Sequence, residues 1–417
     1  MLRLSKGKRA KGAIKGAPED FKVEEISSNG TTLKIGTSYR PEQLGLEERE
    51  GNFTIFVMQK TGWNTAHALK SIAQKANRGM KSIGFAGTKD RISQSTQLCS
   101  IFGAEPDLIR QIRIKDIQIN GAWKYDSKIE LGMLAGNHFT ITVRNVSDPD
   151  SIAKNAEALA GLFPNYFGEQ RFGSRKNNFD VGLSILKGDF EGAVMTFLTD
   201  TSNETNQEAI SARGRLAEYH DFTEALDYFP TYLRYERSIL DYLSKSERNF
   251  ANALKKLPRS IALMFVHSVE DTIFNSELET MIKEGHTTPR NGDLVCPQEQ
   301  PRFYDLSNTS RYEPGKQGFM VGNILGYETE EPTDFEKGEL ERLGLTPESF
   351  KVKGMSELNC RGAKRVLFAP FSGFEAETNG ENPILSFSLP SGSYATVFLD
   401  ELLEAESQEQ GQAEEKI

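Results

Sequence analysis

The sequence is poor in cysteine and has no long apolar run. Its three cysteines, Cys99, Cys296 and Cys360, are odd in number and lie far apart. They fit reduced thiols of a cytoplasmic protein better than a disulfide framework or a metal knuckle. No run approaches the roughly 18 apolar residues of a membrane span. The basic N-terminus has no apolar core behind it, so a secretory signal is not predicted.

Histidine is also scarce, and the common motifs of metal and nucleotide sites are missing. The five histidines show no ligand spacing between any two, so we predict no metal site: they are His67, His138, His220, His267 and His286. A Walker-type phosphate loop, an NKxD box and a G-x-S-x-G serine elbow are absent too. These gaps argue against P-loop nucleotide hydrolases and serine hydrolases.

The charge is unevenly distributed along the 417 residues. The net charge of −9 argues weakly against nucleic-acid binding, but residues 3–15 carry six cations and no acid. The tail from Glu401 is rich in Glu and Gln, and we expect residues 404–417 to be disordered. Much of the negative charge therefore need not face a ligand. With 26% charged and 37% hydrophobic residues, the composition is that of a soluble globular protein.

Apolar periodicity predicts strands and helices in irregular alternation. The stretch His138–Arg144 alternates cleanly, with Phe139, Ile141 and Val143 on one face. A helix is expected to begin at Asn64 or Thr65. Further elements are predicted as follows: strands at 21–25, 53–58, 82–86, 111–119, 366–368 and 385–389; helices at 179–198, at 260–283 and from about 393; and a polar loop at 200–212. The pattern indicates an α+β fold with a mainly antiparallel sheet.

The composition changes near residue 165, where helical segments begin to dominate. Strand-like patterns return near residue 366. We therefore predict that residues 1–164 form the first part of one domain, which residues 371–403 complete. Residues 165–370 would be an α+β insertion domain, and residues 404–417 an acidic tail.

The most conspicuous stretch is Gly84–Arg91, GFAGTKDR. A short apolar segment ends in a glycine-rich turn, followed at once by Lys89, Asp90 and Arg91. Glycine lets a ligand approach the main chain closely. A carboxylate beside fixed positive charge should carry its negative charge at neutral pH, which suits a nucleophile or general base. A solvated surface turn would show the same residues.

Two other segments have residue types that bind RNA. Asn165–Gly173, NYFGEQRFG, packs aromatic rings, amides and Arg171 together, as in sites that stack on bases and hold phosphates. Leu389–Thr396, LPSGSYAT, places a Pro/Gly turn at the start of a helix, where an anion can bind. An aromatic core turn and an ordinary capped helix are the alternatives.

Taken in order, these blocks resemble the TruD-type tRNA pseudouridine synthases. The resemblance rests on Lys15 with Pro18–Phe21, on Phe85–Asp90, on Gly136–Phe139, and on the NYFGEQRFG and LPSGSYAT segments. It runs from about residue 12 to residue 403. It departs from the family pattern at Phe265–Asn275, where Glu270 and Asp271 replace more neutral residues.

The resemblance implies a role for individual residues. Asp90 matches the catalytic aspartate, and Lys15 matches the basic residue that pairs with it. Phe139 matches the ring that stacks on the target uracil, and Asn137 the neighbouring asparagine. We also place Lys89, Arg171 and Tyr394 among the substrate-binding residues.

The implied fold is the pseudouridine-synthase α+β sheet interrupted by a family-specific insertion. The implied activity is isomerisation of uridine within tRNA, at position 13 of the D arm, by a cytoplasmic monomer without metal or cofactor. Two other interpretations remain open from the residues. One is a non-catalytic RNA-binding protein on the same fold. The other is a glycosidase that uses Glu19 or Asp20 as a second carboxylate.

Overall fold

A computed structural model describes residues 1–377 and 382–407. Its strands are β1 (Ala10–Ile14), β2 (Phe21–Ile26), β3 (Phe53–Thr61), β4 (Ile83–Phe85), β5 (Gln94–Phe102), β6 (Ile117–Tyr125), β7 (Gly136–Thr142), β8 (Leu162–Pro164), β9 (Leu294–Cys296), β10 (Gln298–Glu299), β11 (Phe303–Tyr304), β12 (Ser310–Arg311), β13 (Phe319–Ile324), β14 (Ala363–Val366), β15 (Phe368–Pro370), β16 (Ser372–Glu377), β17 (Ile384–Pro390) and β18 (Leu403–Ser407).

The α-helices are α1 (Thr65–Lys75), α2 (Pro106–Gln111), α3 (Pro149–Ala158), α4 (Asn178–Leu186), α5 (Phe190–Thr199), α6 (Gln207–Tyr219), α7 (Phe222–Tyr228), α8 (Arg234–Leu243), α9 (Phe250–Leu254), α10 (Arg259–Lys283), α11 (Asp334–Leu343) and α12 (Ala395–Leu402). Short 3₁₀ helices cover Pro18–Asp20, Pro41–Leu44, Met80–Ser82, Glu169–Phe172, Pro347–Phe350 and Ser356–Leu358.

Eight strands form the main sheet, in the order β16-β17-β7-β2-β5-β3-β6, with β4 pairing with β5 outside this path. Within it β2 and β5 run parallel, whereas the other neighbours are antiparallel. The predicted mainly antiparallel sheet of an α+β fold is therefore confirmed.

One row of paired residues crosses five strands of this sheet. Phe387 pairs with Phe139, Phe139 with Val23, Val23 with Ser95, and Ser95 with Lys60. Paired residues project from the same face, and so do residues two positions apart in a strand. Glu25, Asn137 and Gln97 therefore share this face with the row.

Two separate helical layers cover that face. On one side, Phe21, Phe139 and Phe387 pack with residues of α3 and α12. On the other side, Phe56 and Met58 of β3 pack with residues of α1 and α2. The polar residues Glu25, Ser95, Gln97, Asn137 and Lys60 lie between the two apolar clusters. The fold thus leaves a polar strip on the sheet between its helical covers.

The helical region after residue 165 has a core of its own. Buried apolar side chains of α4 to α10 pack there with residues of α11 and of the segment 345–360. A four-stranded sheet, in the order β12-β9-β13-β14, lies in the same part of the chain. The boundaries predicted near residues 165 and 370 stay predictions.

Four local predictions need correction. The helix predicted at 179–198 is two helices, α4 and α5, which residues 187–189 separate. The segment 111–116 is not a strand, because α2 ends at Gln111 and β6 begins only at Ile117. Helix α6 begins inside the predicted loop 200–212, since Asn206 caps it at Gln207. The chain is still in a strand at 404–407, where β18 pairs in parallel with β1. The rest of the predicted disordered tail, residues 408–417, lies outside the described residues.

Candidate active site

Side chains, rather than a strand or helix, hold the turn that carries Asp90. Gln97 Nε2 donates to the Gly87 carbonyl at 3.0 Å. Thr65 Oγ1 accepts from the Lys89 amide at 3.0 Å and contacts the Lys89 carbonyl at 3.1 Å. The turn therefore has a fixed shape although it lies outside regular secondary structure.

Lys15 and Asp90 form an ion pair at the surface of this turn. Lys15 Nζ lies 2.8 Å from Asp90 Oδ2, and the contact expected from the sequence is thereby confirmed. The Lys15 side chain is 3% exposed, whereas that of Asp90 is 43% exposed. The lysine thus holds one carboxylate oxygen from below while the carboxylate stays open to a substrate.

The backbone of Lys15 has an unusual conformation. Its φ is 61°, in the left-handed region that costs a residue with a Cβ about 1–3 kcal/mol. Gly16 follows, and a Cβ there would lie 3.1 Å from Asp20 Oδ2. This sharp turn directs the Lys15 side chain off the end of β1 toward Asp90.

Phe21 joins the site, although sequence reasoning did not select it. The Lys15 ammonium lies 4.8 Å from the centroid of the Phe21 ring, within cation–π distance. Phe21 also meets the Phe139 ring edge to face, at 6.2 Å between centroids. Its place in the Pro18–Phe21 block was the only available signal.

Lys89 does not present its ammonium at the surface. It is 3% exposed and lies 2.8 Å from Glu25 Oε2, whose side chain is 1% exposed. Glu25 Oε1 also accepts from the Leu98 amide at 2.9 Å. This geometry favours a supporting role, because the pair ties the turn to the sheet. The predicted substrate contact of Lys89 stays a prediction.

Lys60 is a second lysine that sequence reasoning missed. It is fully buried, and its Nζ donates to the Asp90 carbonyl at 2.8 Å. Ser93 Oγ donates to the same carbonyl at 2.7 Å. Burial lowers the pKa of Lys60 to about 8, although the charge of Asp90 opposes this shift. As one polar residue near the end of a strand, Lys60 gave no signal in the sequence.

Phe139 and Asn137 lie on the same face as these groups. Phe139 is 6% exposed and stacks on Phe387, at 5.3 Å between centroids. Its ring is therefore part of the core, and stacking on a base would require one ring face to open. Asn137 lies between Glu25 and Leu389, and its buried Oδ1 has no hydrogen-bond partner. Both predicted substrate contacts stay predictions.

A second group of residues surrounds the guanidinium of Arg365, on β14. Arg365 donates to Asn165 Oδ1 at 2.8 Å and to the Gly392 carbonyl at 3.0 Å. Its guanidinium lies 4.2 Å from the Phe167 centroid and 5.9 Å from that of Tyr394. Arg365 thus joins the NYFGEQRFG and LPSGSYAT segments, a role that no sequence signal indicated.

Arg171 has an acidic partner that its sequence context did not reveal. Its Nε lies 3.2 Å from Asp271 Oδ2, and its side chain is 36% exposed. Burial raises the pKa of Asp271 to about 7, although Arg171 opposes the shift. Arg175, the next arginine along the chain, is buried and donates to the Phe197 and Asp200 carbonyls. Arg171 is therefore the more accessible of the two cations.

Within the two described ranges, one group of three side chains has the composition of a metal site. Ligand atoms of His267, Glu270 and Cys360 lie within 4.8 Å of one another. His267 Nδ1 is hydrogen-bonded to Glu270 Oε2 at 2.7 Å and lies 4.0 Å from Cys360 Sγ. Glu270 and Cys360 thus both contact the same nitrogen of His267. The predicted independence from metals and cofactors stays a prediction.

Comparison with known proteins assigns the chain to a family. The family described as tRNA pseudouridine synthase D (TruD) matches residues 2–402. This chain belongs to the TruD family. The probable tRNA pseudouridine synthase D of Thermococcus sibiricus is 34% identical over 96% of both chains. That of Methanopyrus kandleri is also 34% identical, over 85% of this chain and 86% of its own.

A solved TruD structure has the same fold. The crystal structure of the putative tRNA pseudouridine synthase D from Methanosarcina mazei superposes with a TM-score of 0.74 and 29% identity. The superposition covers 97% of this chain and 96% of the Methanosarcina mazei chain. The family resemblance, the α+β fold and the family activity predicted from the sequence, isomerisation of tRNA uridine to pseudouridine, are therefore confirmed. Among the described residues, no helix is both long and apolar enough to cross a membrane.

Proposed function

We propose that this TruD-family chain converts uridine 13 in the D arm of tRNA to pseudouridine, with Asp90 as the catalytic carboxylate. One observation carries the assignment of Asp90. Its carboxylate is 43% exposed, whereas its partner Lys15 is 3% exposed. A nucleophile or general base requires a charged carboxylate that a buried partner holds in place and that a substrate can still reach.

The reaction moves one bond and leaves the composition of the nucleotide unchanged. The N1–C1′ bond breaks, the uracil turns over, and a C5–C1′ bond forms, while C5 loses a proton and N1 gains one. Asp90 acts on the ribose in one of two ways, by attacking C1′ or by removing the proton at C2′. Both require an ionised carboxylate beside the sugar, which the Lys15 ammonium supports.

The target base must leave the RNA stack to reach Asp90. Extrusion costs a few kcal/mol, which stacking and phosphate contacts can recover. Phe21 lies next to the Lys15 ammonium and Phe139 packs against Phe21, and we propose that these two rings border the base. Asn137 Oδ1, buried and unpartnered, is suited to accept a hydrogen bond from the uracil.

The glycosidase interpretation finds less support. Asp20 is held by Arg144, whose Nε and Nη2 donate to its two oxygens at 2.7 and 2.8 Å. This hydrogen bond lowers the pKa of Asp20. Glu19 is exposed and is not paired with the Asp90 turn. We therefore propose isomerisation without release of free uracil.

The test uses unmodified tRNA transcripts and maps pseudouridine at single-nucleotide resolution. We expect modification at position 13 by the wild-type protein and none by Asp90→Asn, while Asp107→Asn, which changes an exposed acid on α2, should behave as wild type. Modification at another uridine would contradict the D-arm assignment. Normal turnover by Asp90→Asn, or release of uracil, would contradict the mechanism.

The monomeric state, the cytoplasmic location and the domain boundaries belong to the same proposal. Light scattering on the purified protein tests the first of these. A mass of twice 46.6 kDa would contradict a monomer.

A further inference from the structure

We infer that Lys60 is a positioning residue for the catalytic carboxylate, holding Asp90 through its main chain while Lys15 holds its side chain. The inference rests on the proposed role of Asp90. It goes beyond that role because the Lys15–Asp90 pair alone does not explain why Lys60 is buried or why its ammonium points at the Asp90 carbonyl. Lys15, directly after β1, and Lys60, on β3, would then fix one aspartate at two points.

The first argument is geometric. Lys60 lies in the sheet row that includes Ser95 and Phe139, and its side chain is fully buried. Its Nζ reaches the Asp90 carbonyl at 2.8 Å. A buried ammonium costs several kcal/mol of desolvation, so a protein retains one only where specific partners stabilise it. The ammonium of Lys60 donates its hydrogen bond to the carbonyl of Asp90.

The second argument concerns the charge of the site. Three ammonium groups, those of Lys15, Lys60 and Lys89, lie around the turn that carries Asp90. Lys89 is paired with Glu25 and Lys15 with Asp90, whereas the ammonium of Lys60 donates to the Asp90 carbonyl. Lys60 therefore adds positive charge close to Asp90, which favours the approach of an RNA phosphate.

The surroundings of Lys60 also make its charge depend on pH. Burial and the neighbouring Lys89 lower its pKa to about 8, while Asp90 raises it. Other ionisable groups of the site include Lys15 directly after β1, Glu25 on β2 and Arg91 directly after Asp90. The Cys99 thiol on β5 interacts with Glu25 and Lys89, and burial raises its pKa well above its usual range. A neutral amine still donates to the carbonyl, but more weakly than an ammonium does.

The experiment compares Lys60→Met, Lys60→Arg and the exposed control Lys70→Met in multiple-turnover assays at varied concentrations of a tRNA transcript. We expect Lys60→Met to lower kcat by about tenfold to a hundredfold, the loss typical of one charge-assisted hydrogen bond, with KM little changed. Lys70→Met, on the surface of α1, should keep the wild-type kcat. Thermal unfolding of each variant confirms that the fold is intact.

The pH profile separates positioning from a purely structural role. Wild-type kcat should fall as the pH rises through about 8, as Lys60 loses its proton. Lys60→Arg should recover part of the activity and move this decline to higher pH, because a guanidinium stays charged. Lys60→Met should show no decline there.

The outcomes are distinct from those that test the proposed function. Full kcat for a folded Lys60→Met protein would overturn the inference, and so would an unchanged pH profile in Lys60→Arg. A wild-type protein whose Asp90→Asn variant turns over normally would instead contradict the proposed function, as a separate result.

Discussion

Asp90 Oδ2 lies 2.8 Å from Lys15 Nζ although 75 positions separate the two residues in the chain. The fold brings them together, because Ala13 of β1 bridges to Arg144, just after β7 of the main sheet, and the Asp90 turn follows β4 of the same sheet. The lysine is buried and the aspartate is half-exposed. Lys15 is therefore shielded from solvent, whereas the Asp90 carboxylate remains accessible to a substrate.

Lys15 should accordingly matter for turnover more than for tRNA binding. We expect Lys15→Met to lower kcat by about tenfold to a hundredfold, the value of a hydrogen bond to a charged group, and Lys15→Arg to retain more activity. Multiple-turnover kinetics at saturating tRNA measure the effect. An unchanged kcat in Lys15→Met would show that Asp90 does not need its partner.

The buried Lys89–Glu25 pair should be important for stability. We expect Glu25→Gln to lower the free energy of unfolding by about 3–5 kcal/mol, because it leaves the buried Lys89 ammonium without a counter-charge. Replacing both, as in Glu25→Leu with Lys89→Met, should recover part of the loss. Denaturant unfolding measures both variants.

The control for this prediction is Asp241→Asn, in an exposed ion pair with Lys245. It should leave the unfolding curve close to that of the wild type. A Glu25→Gln protein as stable as this control would mean that the Lys89 ammonium is solvated or neutral.

Asp271 should weaken tRNA binding by holding Arg171. At pH 8 the Asp271 carboxyl, with a pKa of about 7, is ionised and competes with phosphate for Arg171. We expect Asp271→Asn to bind tRNA roughly threefold to tenfold more tightly at pH 8, as one more cation becomes free for phosphate. The gain should shrink at pH 6, where wild-type Asp271 is protonated.

Filter binding at fixed salt measures these affinities. Arg171→Met is the matched control, since it should bind less tightly and should make the Asp271 change ineffective. Equal affinity of wild type and Asp271→Asn at pH 8 would mean that Arg171 does not meet the RNA.

Glu277 and Glu336 should make stability depend on pH. Each has one buried oxygen without a hydrogen-bond partner, Oε2 and Oε1 respectively. Burial, followed by repulsion from Glu336, raises the pKa of Glu277 to about 7, and burial raises that of Glu336. Because the folded pKa exceeds the unfolded one, the native state binds more protons, and stability is lost as the pH rises from about 4.5 to about 7.

Glu277→Gln should remove most of this loss, because an amide N–H can donate to Glu336 at any pH. Tm measured at pH 5 and pH 8 should therefore differ less in Glu277→Gln than in the wild type. Glu284→Gln, at the exposed residue that directly follows the same helix, should keep the wild-type difference. A wild-type Tm that is no lower at pH 8 than at pH 5, or an equal difference between the two pH values in Glu277→Gln, would contradict the argument.

The elements with strong local patterns could be predicted from the sequence. The alternation of Phe139, Ile141 and Val143 correctly gave β7, and Asn64 correctly marked the start of α1. The contact of Lys15 with Asp90 followed from the family blocks. In each case the signal lay within a few residues or in a recognisable motif.

What escaped prediction depends on contacts between distant segments. Lys60 and Arg365 are ordinary cations in the sequence, and their burial follows only from strand register and from the approach of other segments. Arg171 was predicted to contact RNA, and its partner Asp271 could not be recognised from the sequence because it is a hundred positions away. Isoleucine-rich residues 111–116 have strand propensity, but α2 and the turn before β6 use them differently.

The parallel pairing of β1 with β18 has a consequence for folding. Ala10 of β1 pairs with Leu403 of β18, so this contact joins segments that are almost the whole described chain apart. Contacts of such large sequence separation form slowly, because the loop between them must close first. We therefore expect the segment that precedes Lys15 to become ordered late, after the rest of the main sheet has assembled.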